Sequence, residues 1–245
     1  MTATEMKTTK NLARLAGFLY LLIIVFGIFA QLVVREGLIV PGDAAATADN
    51  ILASESLYRL GFMSDLFMMT SYLLLGYTFY VLFKPVNRNL AALIVLFVMA
   101  AVPVMLLNML NQLAALVVVD GADYLAVFDD QQLDALSLLF LNLHKYGYLI
   151  PQIFFGLWLL PIGILAYRSG YFPRILGILL VISCFAYLIG FVTAFLLPQY
   201  SAAVSEVMDI PAALPEFIFC LWLLVRGANL SQAQTVPAPS VSFAR

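Results

Sequence analysis

The placement of charge along this chain constrains its fold more than any other feature. Six long apolar runs are separated by short connections that are alternately basic and acidic. About 20 apolar residues in a helix cross a hydrocarbon core of ~30 Å, so each run predicts one membrane-spanning helix. The runs cover residues 12–34, 57–83, 90–119, 136–167, 175–197 and 210–225.

Composition argues against a water-soluble fold. Hydrophobic residues make up 64% of the 245 residues, charged residues make up 11%, and the mean hydropathy is +1.00. These values leave too few polar residues to cover the surface of a soluble domain. The runs also lack the alternation of polar and apolar residues that a transmembrane β-barrel requires. We therefore predict an all-α integral membrane bundle of six transmembrane helices.

The basic residues predict the orientation of the bundle, because lysine and arginine are retained on the cytoplasmic side of short connections. The N-terminal tail carries Lys7, Lys10 and Arg14, and the second and fourth connections carry Lys84, Arg88, Arg168 and Arg174. The odd-numbered connections hold only one basic residue, Arg35. The third connection is acidic, with Asp120, Asp123, Asp129, Asp130 and Asp134. Both termini should therefore be cytoplasmic, in a multi-pass protein of the cell inner (cytoplasmic) membrane.

The chain predicts one membrane domain, residues 11–227, between two disordered cytoplasmic tails, residues 1–10 and 228–245. In the first external connection, Pro41-Gly42-Asp43 is typical of a turn and a helix N-cap. The alanine-rich segment that follows predicts a short helix on the outer surface. In the third connection, Asp130 is a candidate N-cap for the fourth run.

A short pattern recurs where three runs leave the cytoplasmic side. A basic residue is followed by small and leucine-like positions in Arg14-Leu15-Ala16-Gly17, Arg88-Asn89-Leu90-Ala91 and Arg174-Ile175-Leu176-Gly177. Basic residues are retained on the cytoplasmic side and apolar helices follow them, and we favour this explanation of the pattern over a true internal repeat.

Polar side chains inside the runs are few, and they predict a ligand-binding pocket. Four of the runs contribute them, and all lie between the outer surface and the midplane if the orientation is as predicted. Asn108, Asn111 and Gln112 share one helical face, and His144, Tyr148 and Gln152 share another. The candidate ligand-binding residues are Asp65, Asn108, Asn111, Gln112, His144, Lys145, Tyr148, Gln152 and Glu216.

The charged members of this set must be neutralised within the protein. A charge at the centre of a span costs about 2.5–3.5 kcal/mol on the insertion scale, so three facing lipid would cost on the order of 5–10 kcal/mol. Lys145 is the cation of the set, and we expect it to pair with Asp65 or Glu216.

Each candidate residue also has a structural interpretation. The charged side chains could form a buried ion pair that sets helix register. Asn108, Asn111 and Gln112 could act as hydrogen-bonding glue between helices. A single histidine, His144, is more often a satisfied hydrogen-bonding group than a catalyst. The sequence predicts no cofactor, no metal site and no assigned catalytic residue, and with a net charge of −2 it predicts no nucleic-acid partner.

The chain resembles the prokaryotic membrane family catalogued as domain of unknown function 4386 over about residues 10 to 228. The resemblance implies a polytopic membrane protein and supplies no catalytic residues. It is carried by the ordered segments Ala13-Arg14-Leu15-Ala16-Gly17-Phe18-Leu19-Tyr20, Val40-Pro41-Gly42-Asp43-Ala44-Ala45-Ala46-Thr47, Arg59-Leu60-Gly61, Ser64-Asp65, Leu82-Phe83-Lys84-Pro85-Val86-Asn87, His144-Lys145-Tyr146-Gly147-Tyr148 and Tyr167-Arg168-Ser169-Gly170-Tyr171-Phe172-Pro173-Arg174.

Three functions remain open at this stage. The first is binding, sensing or carrying of a small molecule or lipid in the polar pocket, with the lipid bilayer as the other partner. The second is a structural or assembly subunit with a buried ion pair. The third is an intramembrane hydrolase-type enzyme with His144 as general base, Asp65 or Glu216 as its partner and Ser137 as nucleophile. The oligomeric state is not predicted.

Overall fold

The computed structural model describes residues 3–229, and this part of the chain is helical without β-strands. The first helix, α1, continues as a π-helical segment, Phe29–Arg35. Short 3-10 turns occur at Asp123–Leu125 and Pro198–Tyr200. The α-helices are α1 (Ala3–Ile28), α2 (Glu36–Leu38), α3 (Ala44–Ala53), α4 (Glu55–Phe83), α5 (Arg88–Val119), α6 (Asp130–Leu157), α7 (Leu159–Ser169), α8 (Arg174–Leu196) and α9 (Ser201–Val225).

The prediction of six membrane-spanning helices is confirmed. Six helical stretches of the described chain are long and apolar enough to cross a membrane, namely Met6–Leu38, Glu55–Phe83, Arg88–Val119, Asp130–Ser169, Arg174–Leu196 and Pro198–Val225. The last helix begins well before residue 210, because the segment from Ser201 to Asp209, which mixes polar and apolar residues, is helical as well. Residues 3–10 of the expected N-terminal tail form the start of α1. Most of the expected C-terminal tail, residues 230–245, lies outside the described residues.

The six spans form a closed ring in chain order. Each span packs against the next one along the chain, beginning with α1 against α4. The first helix, α1, also packs against the last helix, α9, and this contact closes the ring. Both described ends of the chain lie at one end of the bundle, which we call the terminal end. The connections 39–54, 120–129 and 197–200 lie at the other, which we call the connection end.

Helix caps at the connection end follow from local sequence. The side chain of Asp43 accepts a hydrogen bond from the N–H of Ala46 at 3.0 Å, after Gly42 with φ +81°, and α3 begins there. The cap of α6 is Asp129, so the expectation of Asp130 was wrong by one residue. The side chain of Asp129 accepts a hydrogen bond from the N–H of Gln132, and the side chain of Gln132 accepts one from the N–H of Asp129. A capping box requires a glutamate or glutamine three residues after the cap. Asp129 meets this requirement with Gln132, and Asp130 does not.

An aromatic cluster fills the bundle on its terminal side. Trp158 lies between α6 and α7 and packs edge-on against Tyr72, with the ring centroids 4.7 Å apart. The helix breaks at Trp158 because Pro161 has no N–H to donate to the carbonyl of Leu157. Phe79 continues the cluster by contacting Trp158 and Phe219.

Close backbone contact joins α7 to α8. A Cβ added to Gly177 would lie 2.5 Å from the carbonyl oxygen of Gly163 and 2.8 Å from the backbone nitrogen of Tyr167. Backbone atoms cannot move aside as a side chain can. The two helices therefore depend on the absence of a side chain at this position.

We predict that Gly177→Ala lowers the free energy of unfolding by about 1–3 kcal/mol, because the added methyl group forces α7 and α8 apart. Unfolding of the purified protein by sodium dodecyl sulfate in mixed micelles measures this. Gly190→Ala on the same helix is the control, since no atom lies within 4 Å of its added Cβ. It should be neutral or stabilising by up to about 1 kcal/mol. Equal effects of the two substitutions would contradict the packing argument.

Candidate functional site

A buried ion pair joins the end of the first span to α4. Arg35 Nη1 lies 2.6 Å from Asp65 Oδ2, and the side chains are 11% and 1% exposed. Arg35 Nη2 approaches the other carboxylate oxygen at 3.5 Å. The π-helical segment that ends at Arg35 has hydrogen bonds spanning five residues, and such segments are frequent at functional sites. Asp65 is thus neutralised by a guanidinium from another helix.

The expected pairing of Lys145 with Asp65 or Glu216 was wrong. Lys145 lies on the exposed face of α6, and the carboxylate of Asp65 is taken by Arg35. Sequence analysis placed Arg35 in the external connection, because it follows the last strongly apolar residues of the first run. The helix continues through this residue and returns it to the bundle interior.

Asn108 and His144 link α5 to α6 through reciprocal contacts with backbone oxygens. The Asn108 amide donates to the His144 carbonyl oxygen at 2.8 Å, and His144 Nδ1 lies 3.2 Å from the Asn108 carbonyl oxygen. Asn111, which is half-buried, donates to Asn108 Oδ1 at 3.1 Å. A Cβ on Gly147 would lie 2.0 Å from that oxygen, so this glycine gives Asn108 its space.

Beside this link are buried polar atoms without hydrogen-bond partners among the described residues. They are the side-chain Nε2 and Oε1 of Gln112 and Nε2 of His144. The carbonyl oxygen of Gln112 accepts a hydrogen bond from the Tyr58 hydroxyl at 2.7 Å. Tyr58 and His144 both lie within electrostatic range of Arg35 and Asp65. We call Arg35, Tyr58, Asp65, Asn108, Gln112 and His144 the Asp65 cluster.

A second group surrounds Glu216 on α9. Its carboxyl group accepts a hydrogen bond from the Tyr20 hydroxyl, and Tyr187 is a second hydrogen-bonding partner. The hydroxyl of Tyr72 is buried without a partner among the described residues and lies within electrostatic range of Glu216. Tyr148 interacts electrostatically with this carboxyl group and with the Arg35–Asp65 pair. We call Tyr20, Tyr72, Tyr148, Tyr187 and Glu216 the Glu216 cluster.

The structure thus gathers most of the predicted residues into two neighbouring clusters connected by Tyr148. Lys145 belongs to neither, and Gln152 is half-buried one helical turn after Tyr148. Sequence analysis missed Arg35, Tyr20, Tyr58 and Tyr187. A signal existed for Tyr20, because it lies well inside an apolar run while interfacial tyrosines lie near the ends.

The groups offer hydrogen bonding and charge but no assembled catalytic set. The Ser137 hydroxyl donates to the carbonyl oxygen of Ala115 at 3.2 Å, and His144 Nδ1 faces a backbone oxygen. Asp65 is paired with Arg35 and not with His144. Among the described residues, no group of three His, Cys, Asp or Glu side chains is placed to hold a metal ion.

Comparison with known proteins places the chain in a family. The family described as Domain of unknown function (DUF4386) matches residues 15–227. A protein of Archaeoglobus fulgidus with the description "Uncharacterized protein" is 29% identical over 160 residues, which are 64% of this chain and 78% of that relative. No solved structure matches the chain significantly.

We predict that Asp65→Ala lowers the free energy of unfolding by about 3–5 kcal/mol, because it leaves the buried Arg35 guanidinium without its partner. The double variant Arg35→Met/Asp65→Leu should recover most of this loss, since no unpaired charge remains. Denaturant unfolding in detergent micelles measures both effects.

The control is Glu55→Ala, which removes the exposed pair between Glu55 and Arg59 on the same helix. An exposed pair contributes at most about 1 kcal/mol. A loss in Asp65→Ala no larger than in this control would show that the Arg35–Asp65 pair is not desolvated.

Proposed function

Since the chain belongs to the family described as Domain of unknown function (DUF4386), whose description assigns no activity, we propose a function from the geometry. The protein is a multi-pass protein of the inner (cytoplasmic) membrane, with both termini cytoplasmic. It binds a small molecule or lipid that carries a positively charged group, within the bundle at the Glu216 cluster. The Asp65 cluster, on the external side, forms the approach to that site.

The observation that carries this proposal is a carboxyl group without a cation. No ion pair among the described residues involves Glu216, and its hydrogen bonds come from tyrosine hydroxyls. Placing a carboxyl group inside a membrane bundle costs free energy, and such a group is therefore taken first as a marker of a binding site or an ion pathway. A ligand cation would supply the missing charge.

The surroundings of Glu216 suit an organic cation. Tyr72 and Tyr20 present aromatic rings around Trp158, whose ring centroid lies 5.7 Å from that of Tyr20. Aromatic faces attract cations, and desolvated contacts of this kind contribute about 2 kcal/mol or more. Tyr148, Tyr187 and Glu216 are half-buried.

The distribution of side chains along the bundle favours access from the external side. The aromatic residues Phe79 and Phe83 come later on α4 than Tyr72, and both are fully buried in the terminal half. Polar side chains occupy the connection half instead. The terminal half of the bundle is filled by packed aromatic side chains, and the connection half carries the polar side chains. This arrangement fits a binding protein that opens on one side better than a channel.

A structural role is the second candidate, and the link between α5 and α6 favours it. The side chains of Asn108 and His144 contact backbone oxygens of the facing helix, as polar side chains that hold transmembrane helices together do. This link explains Asn108, but it leaves the partnerless side chain of Gln112 and the unpaired Glu216 without a role. The enzyme hypothesis is less supported, because Ser137 does not hydrogen-bond to His144.

We predict that choline or tetraethylammonium raises the thermal unfolding midpoint of the purified protein, and that Glu216→Gln abolishes the rise. A ligand at 100 times its dissociation constant stabilises the folded state by about 2.7 kcal/mol. The neutral isostere of choline, 3,3-dimethylbutan-1-ol, should have no such effect, because it lacks the charge.

Glu206→Gln is the matched control, since Glu206 lies on the same helix and is exposed. It should keep the response to the cations. The proposal fails if neither cation shifts the wild-type midpoint, or if Glu216→Gln responds as the wild type does. A lower midpoint in Glu216→Gln, with no cation response in the wild type, would favour the structural role.

A further inference from the structure

A second site lies at the terminal end of the bundle, apart from both clusters. A cavity of about 670 Å³ opens between the first turns of α1 and the end of α9. Its lining includes three basic side chains, Lys7, Lys10 and Arg226, together with the apolar side chains of Met6 and Val225. The cavity thus combines concentrated positive charge with a hydrophobic wall.

The positive charge of the cavity is not neutralised by the described side chains. None of their ion pairs involves Lys7, Lys10 or Arg226. The segment that follows, residues 230–245, contains no Asp or Glu. Three cations that converge on one cavity repel each other, so an anion bound there relieves this repulsion.

Trp222 marks the depth of the cavity. Its side chain lines the cavity, and its Nε1 is buried without a partner among the described residues. Tryptophan is enriched where hydrocarbon meets lipid headgroups, with an apolar ring and one polar N–H. A tryptophan in the lining therefore fits a cavity at the level of the lipid headgroups.

The backbone brings these side chains together. At Gly227, which has φ +64°, the chain turns away from α9, and an added Cβ would lie 3.2 Å from Lys10 Cγ and 3.5 Å from Arg14 Cγ. The left-handed conformation suits glycine. This turn allows the end of α9 to lie against the basic face of α1.

We propose that this cavity binds the phosphate headgroup of an anionic phospholipid. Lys7, Lys10 and Arg226 contact the phosphate, and the acyl chains run along the apolar surface of α1 and α9. Basic pockets between transmembrane helices are known to take anionic headgroups. Other basic residues at the same end differ, since Lys84 lies over the Tyr80 ring and does not line the cavity.

The test uses Trp222 as a reporter of bound lipid. The full-length protein is placed in phosphatidylcholine nanodiscs with a small fraction of dibrominated phosphatidylglycerol or dibrominated phosphatidylcholine, and fluorescence quenching is measured. Trp222→Phe gives the background from Trp158, which is buried in the aromatic cluster. We expect stronger quenching by phosphatidylglycerol, with apparent affinity falling roughly fivefold for each charge removed in Lys7→Gln/Lys10→Gln/Arg226→Gln.

Lys84→Gln/Arg88→Gln is the control, because it removes two charges at the same end and leaves the cavity intact. Its retained preference for phosphatidylglycerol, together with a loss in the triple variant, supports the proposal. Equal quenching by both lipids in the wild type, or an undiminished preference in the triple variant, overturns it. Inorganic phosphate is tested at matched ionic strength. A fluorescence change with phosphate, but no preference for phosphatidylglycerol, also overturns the lipid assignment.

If the triple variant does not fold, the proposal is tested on the wild-type protein instead. Preference for phosphatidylglycerol must weaken as sodium chloride is raised, because salt screens the exposed cations. A preference that is independent of salt would contradict binding through Lys7, Lys10 and Arg226.

Discussion

A hydrocarbon environment offers no partner to a charged group, and this constraint explains how the interior of the bundle is arranged. Asp65 is held by Arg35, which reaches it because the first span continues through a π-helical segment. In the described part of the chain Glu216 has no such cation, and it is held by tyrosine hydroxyls on neighbouring helices. One carboxyl group is therefore neutralised within the protein, and the other depends on hydrogen bonds alone.

The spans were predictable because run length and local caps depend on the chain itself. The partners of the charged groups were not, because they depend on which way each helix faces. Lys145 and His144 are neighbours on α6, yet one is exposed and the other is buried. Arg35 was assigned to a connection, since an apolar run does not reveal that its helix continues as a π-helix. Tyr20 and Tyr187 lie on α1 and α8, and their approach to Glu216 depends on the closed ring.

The recurring pattern of a basic residue followed by a small one has a packing role that the topology rule does not explain. The small residue of each segment lies at a helix contact: Ala91 is fully buried, and a Cβ on Gly17 would lie 2.7 Å from the backbone nitrogen of Leu224. Gly177 makes the equivalent contact with Gly163. Small residues let helix backbones approach where hydrophobicity gives no drive for association in lipid. The contacts support the packing function of the pattern, whether or not the segments share an origin.

The two proposed sites have one pair of helices in common. Tyr20 and Glu216 belong to α1 and α9, and so do Lys10 and Trp222 at the terminal end. Between them, the backbones meet at Gly17, whose carbonyl oxygen lies 3.5 Å from Cys220 Sγ. A shift of α9 along α1 would therefore alter both sites, whereas the Asn108–His144 link belongs to α5 and α6. Substitutions in that link leave the α1–α9 contact unchanged.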